Sequence, residues 1–81
     1  MHELSIALSI VDGVEEEAAR HGGGPVRAVH LRLGRLSGVV REALLFAYDR
    51  ACDGTSLEGS ALQIEETEGN EMRIVGMELD S

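Results

Sequence analysis

From Glu3 to Arg20 the apolar residues recur at three- and four-residue spacing: Leu4, Leu8, Val11, Val14 and Ala18. That spacing places them on one face of a helix, and Ile6 and Ile10 widen the stripe as a core-facing helix of a small domain requires. Glu15, Glu16 and Glu17 fall largely toward water. The run His21-Gly22-Gly23-Gly24-Pro25 ends the helix, because glycine supplies left-handed backbone and proline lacks the amide needed to continue. The period then changes. Val29, Leu31 and Leu33 alternate with Ala28, His30 and Arg32, which is the pattern of a strand with one buried face. Helical spacing returns at Val40, Leu44, Ala47 and Ala51, with Ser37 as a cap near the start and Asp53-Gly54 as a stop.

After a short connection over Gly54 to Ser60, Leu62 and Ile64 alternate with polar residues, and Met72 to Leu79 forms a further strand candidate. Gly69-Asn70 between them suits a tight hairpin. That loop would set Glu68 against Glu71, Glu66 against Arg73, Ile64 against Val75 and Leu62 against Met77. Gly76 marks a bulge in the last strand. The resulting order is helix, strand, helix, strand, strand. It predicts an α/β fold of two layers, with two helices packed on a three-stranded mixed sheet.

Eighty-one residues support one small domain, and 43% hydrophobic content is that of a folded chain. Phe46 and Tyr48 are the only aromatic residues, so the core is aliphatic. A formal net charge of -8 and the scarcity of stacking surface exclude nucleic acid as a partner class. Cys52 is the single cysteine, which leaves no internal disulfide and no Cys-rich zinc site. No run approaches the ~20 apolar residues of a membrane span. The apolar stretch Leu4 to Val11 is preceded by Glu3 instead of Lys or Arg, which argues against a signal peptide and makes a cytoplasmic location the expectation. No nucleophile-base pair or phosphate-binding glycine loop appears, so an enzyme is not expected.

Met1-His2-Glu3 carries the one candidate for metal chemistry. A terminal amine and the His2 amide nitrogen close a five-membered chelate ring, and the His2 imidazole closes an adjacent six-membered ring. Glu3, a water or another side chain completes a fourth position. Planar nitrogen and oxygen donors suit nickel(II) or copper(II). The same three residues also read as an ordinary helix start, where Glu3 merely favours the dipole. His21 at a helix end, His30 on a polar strand face and Cys52 as a small apolar residue have sufficient structural explanations.

MHELSIALSIVDGVEE, VHLRLGRLSGVV, EALLFAYD, GTSLEGSALQIEE and EMRIVGMELD, in that order, resemble the HypA/HybF family of hydrogenase maturation nickel metallochaperones. The resemblance spans essentially all 81 residues and implies Ni(II) as cargo, with His2 as principal ligand assisted by Met1 and Glu3. It also implies two partners, a nickel-binding GTPase of the maturation pathway and the large subunit of [NiFe]-hydrogenase, or urease in some organisms. Residues 1–81 would then be a single nickel-binding domain, a monomer or weak dimer. The family carries a zinc-binding lobe with two CxxC pairs between its last two strands. Here TEGN joins those strands, so the lobe is absent, replaced by a short turn near 67–70, and zinc is not expected. A metal-free interaction module that keeps the fold and binds a maturation partner is the alternative reading.

Overall fold

A computed structural model describes residues 2–80. Its elements are α1 (Glu3–Arg20), β1 (Val26–Gly34), α2 (Arg41–Cys52), β2 (Ala61–Thr67) and β3 (Met72–Leu79). This is the predicted order, and the two helices cover a three-stranded mixed sheet. The three glycines after α1 all take positive φ, and Gly23 N–H returns to the Ala18 carbonyl at 2.9 Å, closing the helix as expected.

The sheet order is β2-β1-β3. β1 runs parallel to β2 and antiparallel to β3. The parallel pair needs a long crossover, which α2 provides. β2 and β3 therefore lie on opposite edges, and the predicted hairpin is not formed: Leu62 pairs with Val29 and Ile64 with Leu31, not with Met77 and Val75. The reason lies in β1. It buries Val26, Ala28, Val29, Leu31 and Leu33, more apolar surface than either other strand, so it takes the centre. The link between β2 and β3 then crosses the C-terminal end of β1. Three backbone hydrogen bonds hold it there: Gly34 N–H to Glu71 O at 2.7 Å, Arg35 N–H to Thr67 O at 2.8 Å and Leu36 N–H to Gly69 O at 2.9 Å. Gly34 meets the Gly69 carbonyl so closely that no Cβ would fit.

Two bulges adjust the β1–β3 pairing. Val75 is the extra residue between Ile74, opposite Leu31, and Gly76, opposite His30, so the bulge falls beside the glycine that predicted it. The other, at Arg27, brings Val26 to the same face as Val29 and Leu31, while Ala28 stays on the polar face and is buried there.

The core is built on Tyr48, Leu31, Leu44, Leu57, Val14 and Val29. Leu57 comes from the loop before β2, where no periodicity announced it. The buried stripe of α1 is Ala7, Ile10, Val11, Val14 and Ala18, while Leu4 and Leu8 are 51% and 47% exposed. Apolar residues occupy most of the first two turns, so their spacing alone left the facing side open by about one position. Val40 is likewise displaced from the predicted buried stripe of α2: it is the exposed N-cap residue, with no side-chain cap. The Ser37 hydroxyl instead accepts from Val39 N–H at 3.2 Å, bracing the turn ahead of the helix.

Candidate metal centre at the start of the first helix

His2 occupies the N-cap position of α1, with φ -135° and ψ 48°, and Glu3 is the first helical residue. The His2 carbonyl accepts the first intrahelical bond, from Ile6 N–H at 3.0 Å. By helix geometry the amides of His2, Glu3, Leu4 and Ser5 have no acceptor within the helix. The imidazole of His2 is exposed and does not cap the helix. Among the described residues, the elements a chelate at this end would need, an amide nitrogen without a helical acceptor and an adjacent imidazole that does not cap the helix, are thus not consumed by the fold. Met1, the third residue of the predicted set, lies outside the described residues.

The remaining histidines are engaged elsewhere. His21 Nε2 lies 3.0 Å from Glu17 Oε2, one helical turn back, and Arg20 joins the same carboxylate at 3.4 Å. His30 is tied across the sheet: its Nε2 lies 2.8 Å from Glu78 Oε2, and Arg27 donates to Glu78 Oε1 at 3.1 Å. The His30 hydrogen bond, followed by that of Arg27, holds the Glu78 carboxyl below its usual range. Among the described residues no three His, Cys, Asp or Glu side chains cluster as metal ligands. His2 and Glu3 therefore gain no third side-chain donor from the rest of the described chain.

Cys52 sits in a buried polar knot that sequence spacing did not reveal. The Tyr48 hydroxyl and Ser60 Oγ are 2.7 Å apart, and Cys52 Sγ lies 3.9 Å from the same Ser60 oxygen. Burial pushes the Tyr48 phenol and the Cys52 thiol up, so both stay protonated at neutral pH. The sequence signal for Ser60 was only a polar residue at the end of a loop. Glu15 has a similar hidden role: its carboxylate accepts from the Ser56 N–H at 3.2 Å and from the Ser56 hydroxyl at 3.1 Å, tethering the α2–β2 loop to α1.

A family model described as "Hydrogenase/urease nickel incorporation, metallochaperone, hypA" matches residues 1–78. The hydrogenase maturation factor HypA of Roseiflexus sp. (strain RS-1) is 64% identical over 66 residues, covering 82% of this chain and 54% of that protein. HypA of Chlorobaculum tepidum is 48% identical over 69 residues, covering 85% of this chain and 61% of its own. The chain thus spans little more than half the length of these relatives. The solution structure of the Ni metallochaperone HypA from Helicobacter pylori superposes with a TM-score of 0.84 at 19% identity, covering 98% of this chain and 97% of that one, which establishes the shared fold.

Proposed function

Since the chain belongs to the HypA family of nickel-incorporation metallochaperones, we propose that it carries one nickel(II) ion as cargo at its N-terminus, on Met1, His2 and Glu3. The observation that supports this reading is the N-cap placement of His2, which leaves its imidazole and two successive amides outside the hydrogen-bonding of α1. The Met1 amine, the His2 amide and the His2 imidazole would supply three nitrogens, and Glu3 the neighbouring carboxylate. A helix N-terminus repels a bare cation but favours negative charge. Deprotonating an amide on binding offsets part of the metal charge, and the Glu3 carboxylate offsets more.

The delivery target in this reading is [NiFe]-hydrogenase, or urease, reached through a nickel-binding GTPase and, for hydrogenase, its large subunit. The domain acts as a carrier in the cytoplasm and not as an enzyme. Among the described residues no helix is long and apolar enough to cross a membrane. With one cysteine in residues 1–81, the family's zinc site has no ligands in this stretch, and TEGN serves in place of the zinc lobe as the crossing link.

Nickel titration by calorimetry into the untagged protein and its His2→Ala variant tests the site. Loss of high-affinity binding in the variant is expected, and equal affinity overturns the assignment of His2 as a ligand. Acetylation of the terminal amine should weaken binding as well, since it removes a donor. A weak d-d absorption band in the blue-to-green region would mark planar nitrogen coordination.

A further inference from the structure

β2 is an edge strand: β1 pairs with one side of it, and no strand pairs with the other among the described residues. Its outer row of amides and carbonyls is therefore open, the form in which a sheet accepts a further strand. No proline, lysine or glycine interrupts that row. Gln63, Glu65 and Glu66 are exposed along it, and Ile64 is half-buried. Beside it the start of α2 leaves a hollow of about 470 Å³ lined by Arg41, Glu42, Ile64 and Glu66. No residue of β1 lines this hollow, so it opens outward from β2, away from the centre of the sheet.

The side chains along β2 divide this edge into two halves. Leu62, Ile64 and Glu66 pair with Val29, Leu31 and Leu33, which puts them on the helix-covered face. Gln63 and Glu65 pair with His30 and Arg32, on the open face. The half at 62–64 thus offers apolar contact with one amide side chain between, and the half at 65–66 offers a carboxylate on each face. Glu65 lies 3.7 Å from Arg32 Nε, while Glu42 and Glu66 have no ion-pair partner among the described residues. Arg41 is the one cation lining the hollow. Charge on an edge deters strands of the same sign and admits those of the opposite sign. With a net charge of -8 behind it, the edge also draws basic segments from a distance.

We propose that the free edge of β2 is a docking site for a basic, extended segment of a partner protein, which adds to the sheet as a fourth strand. Antiparallel addition is slightly the more stable. In that direction the segment reads basic, basic, apolar, polar, apolar. Its two basic residues face Glu66 and Glu65, and its central apolar residue faces Ile64 and fills the hollow beside α2. The polar residue then faces Gln63, and the last apolar one faces Leu62. Backbone hydrogen bonds supply affinity whatever the sequence, and the order of side chains supplies selectivity. The docking uses none of Met1, His2 or Glu3, so it stands apart from the nickel reading.

Fluorescence anisotropy with a labelled peptide carrying Lys-Lys-Val-Thr-Val at its centre tests this. Two control peptides are read beside it, one with Glu-Glu in place of Lys-Lys and one with proline in place of the central valine and threonine. Saturable binding of the first peptide is expected, weakening as salt is raised, with little binding of either control. Glu66→Lys, at an exposed position without an ion pair among the described residues, should weaken binding about threefold or more while circular dichroism shows the fold intact. In an NMR titration the amide resonances of residues 61–67 are expected to shift and those of β3 to stay in place. No saturable binding at millimolar peptide overturns the proposal, and so does equal binding of either control. Affinity unchanged by Glu66→Lys, or shifts that fall on β3 or α1 in place of β2, overturn it as well.

Discussion

Replacing Gly34 by alanine tests the feature on which the sheet order depends. Gly34 ends β1 where the β2–β3 link crosses it, and its φ is not positive, so the constraint is steric and not conformational. A Cβ there would collide with the Gly69 carbonyl oxygen, lie 2.5 Å from the Gly69 carbon and 2.8 Å from Asn70 N. All three are backbone atoms, so no side chain can swing aside. The link must move, and it is held by three backbone hydrogen bonds of 2.7–2.9 Å to Gly34, Arg35 and Leu36. Losing one or two of these costs about 0.5–1.5 kcal/mol each, and the overpacking itself about 1–3 kcal/mol. A total of about 1.5–6 kcal/mol follows, against the ~4–12 kcal/mol typical of a domain this size. The melting temperature should then fall by roughly 6 °C or more. Urea unfolding of Gly34→Ala beside Gly13→Ala provides the measurement. Gly13 lies in α1 with nothing within 4 Å of where a Cβ would stand, so the same substitution there should stabilise by about 0.5–1 kcal/mol. A cost below ~0.5 kcal/mol at Gly34 would refute the close crossing.

Tyr48→Phe removes the partner that Ser60 Oγ holds at 2.7 Å and should cost about 1–2 kcal/mol, whereas the double variant with Ser60→Ala should cost less than the sum of the singles in a denaturation cycle. Val40→Ser places a hydroxyl at the uncapped start of α2 and should raise stability by about 1 kcal/mol, seen as a higher urea midpoint. The folded state holds the Glu78 carboxyl below its ordinary value of 4.5, so its ties to His30 and Arg27 contribute stability above that value, lost as pH falls through the depressed one. Glu78→Gln should therefore lower the unfolding midpoint at neutral pH and leave it nearly unchanged once the medium is acidic enough to protonate the native carboxyl, measured at concentrations where the chain is monomeric.

What could be read along the chain was local. The period of α1, its stop at three glycines, the alternation in β1 and the Asp53-Gly54 end of α2 each follow from neighbouring residues, because helix and strand periods differ and glycine alone takes positive φ freely. The chelating potential of Met1-His2-Glu3 is local as well, since its rings would close through adjacent atoms. The tertiary structure decided which strands meet. Gly69-Asn70 looked like a hairpin because the turn chemistry is the same whether the next strand returns alongside or crosses over. Only the competition among three strands for the buried centre sent β3 to the far side of β1. The same holds for the face of α1, where Ala7 and not Leu8 is buried, and for Leu57, Ser60 and Glu15, whose partners lie on other elements. Pairing across the fold depends on the summed burial of the whole core, and no window of neighbouring residues contains that sum.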